Sequence, residues 1–168
     1  MNYCDIKFCD SGNGDGVRVS LWVSGCDNKC PGCFNEIAWD YNYGKLFTDI
    51  EMNEILRGCA KSYITGLTIL GGEPMSPLNQ PDVLRICDAY KQRYPEKTLW
   101  IYTGYILERD LLPGQRKHVE VVTDRILDLV DVLVDGPFIQ AQRDLSLQFR
   151  GSSNQRLLSR AEIAELRK

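Results

Sequence analysis

Four short runs rich in β-branched and aromatic residues, VRVSLWVS (17–24), GLTIL (66–70), TLWIY (98–102) and VDVLV (130–134), each lead into a chemically unusual loop. The loops are CDNKCPGC, GGEP, TGY and DGP. The runs read as strands, and helical spacing fills the intervals between them. Thr48 and Glu51 form a T-x-x-E capping box, Phe47 can staple onto Met52, and Met52, Ile55, Leu56, Cys59 and Ala60 repeat at three or four residues. A second helix is expected to start near 79–82, to bury Val83, Ile86, Cys87 and Tyr90, and to stop around Pro95. A third is expected around 119–129, and Ser159 with Glu162 caps a short C-terminal one.

Alternating strands and helices imply a mostly parallel sheet with helical crossovers. The carboxyl ends of such strands lie on one side, where loops build sites, so the four loops should converge. A full eight-unit barrel needs about 250 residues. This chain has 168, of which 43% are hydrophobic, enough for one domain (1–168) with its own core. The expected fold is therefore α/β, a truncated, open barrel of mostly parallel strands.

Three of the seven cysteines, Cys26, Cys30 and Cys33, fall in a C-x3-C-x2-C spacing inside the first loop. Structural zinc closes a tetrahedron of four protein ligands, so zinc would need Cys4, Cys9, His118 or a carboxylate to join. An iron-sulfur cluster is also usually held by four thiolates. With three, one iron of a four-iron cluster stays open to a small molecule. Spacing alone leaves both readings standing. Cys59 and Cys87 sit on apolar helix faces as packed small hydrophobes, and His118, among Arg116, Lys117 and Glu120, reads as solvent-exposed.

CDNKCPGC resembles the cysteine signature of the radical S-adenosylmethionine enzymes, and GGEP resembles that family's GGE motif. The wider stretches NGDGVRVSLWVSGC, CPGCFN, LWIYTGY, VDVLVDGPF and RGSSNQR are similar to its glycyl-radical-enzyme activases over nearly the whole chain. The resemblance implies that Cys26, Cys30 and Cys33 hold one [4Fe-4S] cluster whose fourth iron is chelated by S-adenosyl-L-methionine. It further implies that Gly71, Gly72, Glu73 and Pro74 meet the methionine end, Glu73 taking the amino group. Gly32 stands where many members carry an aromatic residue, with Phe34 following. The cofactor pocket is thus expected to draw on Gly32, Cys33 and Phe34, on Tyr102, Thr103 and Gly104, and on Asp135. No side-chain acid or base is required. The implied partner is an anaerobic, class III ribonucleoside-triphosphate reductase, with a low-potential electron donor. Another glycyl-radical enzyme, such as pyruvate formate-lyase, and a non-catalytic zinc-binding adaptor are the alternatives.

The bulk properties agree. Seven cysteines, an odd number with three clustered, suit a reducing compartment, and no basic start followed by an apolar run marks a signal peptide, so a cytoplasmic protein is expected. No apolar stretch approaches a membrane span. A net charge of -3, with Lys and Arg spread along the chain, argues against a nucleic-acid partner. Arg150, Asn154 and Gln155 in the polar FRGSSNQR stretch are expected to meet a partner or a neighbouring loop.

Overall fold

The computed structural model describes residues 1–168. Its sheet has seven strands: β1 (Asn2–Asp10), β2 (Val17–Val23), β3 (Lys45–Leu46), β4 (Ile64–Gly71), β5 (Thr98–Tyr102), β6 (Val132–Asp135) and β7 (Arg156–Ser159). They lie in the order β3-β1-β2-β4-β5-β6-β7. The expected strands β2, β4, β5 and β6 form the parallel centre. On the flanks, β1 runs antiparallel to both β2 and β3, and β7 antiparallel to β6. β3 and β7 end the sheet on opposite sides, so it stays open.

Four helices pack on the sheet: α1 (Asp49–Cys59), α2 (Gln80–Arg93), α3 (Val122–Leu129) and α4 (Arg160–Leu166). Both capping boxes form, at Thr48–Glu51 and at Ser159–Glu162. Strand residues alternate between two faces. Val19, Leu21 and Val23 of β2, with Leu67, Ile69, Leu99, Ile101 and Leu133, join the helices' Ile55, Cys59, Val83, Ile86, Cys87 and Tyr90 in one core cluster of 27 buried residues. The expected packing of Cys59 and Cys87 holds, whereas Ala60 is the exposed cap of α1 and Gly58 takes the buried place. The intervening strand residues, Arg18 and Trp22 of β2, Thr68 and Leu70 of β4, Trp100 and Tyr102 of β5, face the other way. No helix is long and apolar enough to cross a membrane.

Three strands lay outside the sequence reading: β1, the two-residue β3 and β7. In β1 the run NYCDIKFCD mixes charges and thiols with apolar residues because β3 pairs only with Asn2 and Tyr3, and the rest of the strand has an unpaired outer side and buries little. Asp5, Lys7, Phe8 and Cys9 are all exposed. β7 is only four residues long and merges into the cap of α4. His118 also departs from expectation: its side chain is nearly buried, with Nε2 3.0 Å from Asp124 Oδ2.

The polar face contains a fully buried arginine. All five N–H groups of Arg18 donate to neutral oxygens: Nε to Thr68 Oγ1, Nη1 to Asp15 O and Thr98 Oγ1, Nη2 to Leu67 O and Thr98 O. Its guanidinium also lies 5.3 Å from the Trp100 ring centroid. Complete hydrogen bonding and the ring face make burial of this charge tolerable.

Candidate functional site

The loops after β2 and β4 are joined by backbone hydrogen bonds before any side chain acts. Gly72 N–H donates to Val23 O and Glu73 N–H to Gly25 O, both at 2.7 Å, so the GGEP turn is bound to the start of the cysteine loop. Gly71 makes this approach possible. Its φ is +112°, and a Cβ there would lie 2.7 Å from both the nitrogen and the oxygen of Val23. Thr103 N–H donates to Val134 O, linking the end of β5 to β6.

A cavity of about 590 Å³ opens over these strand ends, within the size range of small-molecule sites. Cys26, Cys30 and Cys33 line it, as do Gly32, Phe34, Gly71, Gly72, Tyr102, Thr103 and Gly104. These expected residues therefore converge. Phe34 is 85% exposed at the rim, with its ring edge-on to Trp22. Three expected residues stand behind the wall instead. Pro74 is buried beneath the turn. Asp135 accepts from Leu107 N–H and pairs with Arg156, which also bonds Glu108. Its neighbour Gly136 is the residue that reaches the cavity.

Glu73 is the third. It is fully buried, and its four acceptor positions are filled by the protein. Oε1 accepts from Thr103 Oγ1 at 2.6 Å and Met75 N–H at 3.0 Å, while Oε2 accepts from Asn28 Nδ2 and Gly104 N–H, each at 2.7 Å. Burial pushes its pKa up to about 7 against the pull of these bonds. No cation of the chain pairs with it. The carboxylate thus holds three loops together while its charge lacks a counter-ion. The expectation that Glu73 itself grips a ligand amine meets this obstacle: no lone pair is left facing the cavity.

The thiols have their own partners. Burial raises Cys26 to about 11, with the nearby Glu73 charge adding to it, and backbone N–H groups of Asn28 and Lys29 oppose the shift. Burial also raises Cys30, opposed by the Phe138 N–H from the loop after β6. Asn35 N–H lies 3.4 Å from Cys33 Sγ. Thiolates are the species that bind iron, and N–H donors to their sulfur tune a cluster's potential. Line the same cavity though they do, the three thiols do not converge as ligands of one metal ion. Three thiols at the cavity leave a tetrahedral zinc site one protein ligand short. Cys4 turns to Ser24 Oγ at 3.2 Å and Cys9 to Tyr63 at the far end of β1, so neither lines the cavity.

The residues present fit a polar, cationic small molecule beside a cluster. Buried polar atoms of the lining Trp22, Trp39, Tyr102 and Arg150 have no partner in the protein, and groups of that kind call for a polar occupant. The charge of Glu73 calls for a positive one. Much of the wall was not legible beforehand: segment 138–155 closes one side through Phe138, Arg143, Leu145, Phe149 and Arg150. Asn154 and Gln155 hold it by donating to Pro137 O and Gly136 O, and Arg150 donates to Gln155 O, so the FRGSSNQR stretch serves a neighbouring loop. Irregular backbone without hydrophobic period gave no signal for this segment.

Residues 12–158 match the family described as a 4Fe-4S single cluster domain. The chain is also similar to proteins named anaerobic ribonucleoside-triphosphate reductase-activating protein. One from Haemophilus influenzae is 40% identical over 157 residues, covering 92% of this chain and 96% of the relative. One from Enterobacteria phage T4 is 39% identical over 162 residues, 96% of each. The Escherichia coli K12 relative is 38% identical over 157 residues, 92% of this chain and 96% of its own length.

Proposed function

The chain belongs to the family of anaerobic ribonucleoside-triphosphate reductase-activating proteins and contains a 4Fe-4S single cluster domain, and from that premise we propose that it is a radical S-adenosylmethionine enzyme that installs a glycyl radical on an anaerobic ribonucleotide reductase. In this reading residues 1–168 are one activase domain, and the open sheet is a truncated barrel of the radical S-adenosylmethionine type. One observation carries the proposal. Cys26, Cys30 and Cys33 line the same cavity as Gly72, Thr103 and Gly104, next to a buried carboxylate with no counter-cation.

Cys26, Cys30 and Cys33 would hold a [4Fe-4S] cluster with one iron left for S-adenosylmethionine. Together, cluster and ligand supply reductive cleavage of a carbon–sulfur bond and the removal of a hydrogen atom from a glycine. The chain's own part is to bind, orient and exclude water. Backbone N–H groups from Asn28, Lys29, Asn35 and Phe138 reach the thiols. The Glu73 charge favours a cation in the cavity, and the turn at Gly71–Gly72 brings bare backbone to the wall. Phe34 and Leu145, both exposed at the rim, offer apolar surface to an entering glycine loop. Seven free cysteines suit a reducing cytoplasm and a low-potential electron donor. The relatives' names favour an anaerobic ribonucleotide reductase over pyruvate formate-lyase as partner.

The test is electron paramagnetic resonance on the reductase after anaerobic incubation with the reconstituted protein, reductant and S-adenosylmethionine. A glycine-centred signal, absent when the partner's glycine is replaced by Ala, is expected together with 5′-deoxyadenosine. A protein that carries zinc without inorganic sulfide, or cleaves no S-adenosylmethionine, would overturn the proposal.

A further inference from the structure

Glu73 cannot touch a ligand in the cavity, but one of the groups bonded to it can. Asn28, the second residue between Cys26 and Cys30, lines the cavity and places Nδ2 2.7 Å from Glu73 Oε2. The orientation of its amide is fixed by chemistry: ionised Glu73 only accepts, so the atom facing it must be the NH₂ group. The amide oxygen is then left on the other side, where no group of the protein bonds it. Gly104 makes room for the arrangement. A Cβ at Gly104 would lie 2.3 Å from Asn28 Nδ2 and 3.3 Å from Glu73 Oε2. Asn28 also sends its backbone N–H to the sulfur of Cys26.

We propose that Asn28 is the residue that receives the cationic amino group of S-adenosylmethionine, accepting a hydrogen bond at Oδ1 while Glu73 polarises and orients the amide from behind. This inference rests on the radical S-adenosylmethionine reading and deepens it. A hydrogen bond from the amide to a carboxylate raises the negative charge on the amide oxygen, because bonded groups polarise one another where water is excluded. The buried charge thereby reaches the cavity through one side chain, without exposing Glu73. Asn28 thus bonds both the Glu73 carboxylate and the Cys26 sulfur, so it would hold the amine end beside the thiols.

The test uses anaerobic, cluster-loaded protein and two probes: S-adenosylmethionine, and 5′-methylthioadenosine, which keeps the nucleoside and lacks the amino acid. The readout is the ratio of their affinities by equilibrium dialysis, with iron and sulfide content measured in each variant. Asn28→Ala should lower the ratio about tenfold, the scale of one hydrogen bond to a charged group. Asn28→Asp replaces the amide N–H by a carboxyl that shares one proton with Glu73 but keeps an accepting oxygen toward the cavity, and should hold the ratio within about threefold of wild type. An unchanged ratio in Asn28→Ala overturns the assignment. So does an equal tenfold fall in both variants, which would mark Asn28 as a support of the loop. Should Asn28→Ala fail to load a cluster, Asn28→Asp decides alone, a tenfold fall in its ratio being the refuting result. Wild-type protein that loads a cluster and binds no S-adenosylmethionine would instead defeat the underlying reading.

Discussion

Replacing Glu73 by Gln in the free protein isolates the cost of its buried charge. The carboxyl is displaced from the ordinary 4.5 to about 7 by burial, and a displacement of that size corresponds to about 3 kcal/mol. The direction follows from proton linkage. Below pH 4.5 both folded and unfolded chains hold the proton and the residue adds no slope. Between 4.5 and about 7 the folded protein keeps a proton that the unfolded chain has released, so stability declines as pH rises. Above that window the whole of the roughly 3 kcal/mol is lost. The Gln variant does not titrate. It leaves one backbone donor unpaired, Met75 N–H or Gly104 N–H according to which side its NH₂ group takes, while the Thr103 hydroxyl or the Asn28 amide on that side can turn to accept, at about 1–3 kcal/mol for the donor left unpaired. That penalty is independent of pH. The difference between wild-type and variant stability, from urea unfolding of cluster-free protein under reducing conditions, should therefore change by about 3 kcal/mol across the window. The variant should be the weaker at the acid end and gain on wild type toward neutral pH. Parallel curves would refute the reasoning, because they would mean that Glu73 ionises in the fold as it does in water.

Single replacement of Cys26, Cys30 or Cys33 by Ala should abolish an intact four-iron cluster in iron and sulfide analysis, whereas Cys59→Ala, in the core, should keep the cluster and lose about 1 kcal/mol in urea unfolding. Arg156→Ala strands Asp135, whose side chain is only 1% exposed. Because Arg156 itself is 37% exposed, water can partly replace it, and the expected loss in thermal unfolding is about 2 kcal/mol, below the usual cost of breaking a fully buried pair. Gly71→Ala meets both a left-handed φ and the Val23 backbone, so a loss of at least about 2 kcal/mol is expected from unfolding curves, together with weaker S-adenosylmethionine binding.

The sequence by itself determined the central strands, the helices and the convergence of the loops. Val19, Leu21 and Val23, or Val83, Ile86, Cys87 and Tyr90, carry the strand and helix periods because each element buries one face. The two capping boxes are local bonds between residues three apart, legible without any tertiary contact. Likewise the cysteine spacing and GGEP are short motifs that mark their loops as candidate site segments. What the tertiary structure alone decided lies in contacts between distant segments. β1 and β7 pair at the flanks of the sheet, where little burial leaves little pattern. Segment 138–155 closes the cavity with irregular backbone that has no period to read. Glu73 shows the difference most clearly. Its motif suggests a carboxylate offered to a ligand, yet donors from Asn28, 45 residues earlier, and Thr103, 30 residues later, enclose it completely. A side chain's chemistry can be read from its type, but whether its lone pairs face solvent, ligand or protein depends on which loops the fold brings against it.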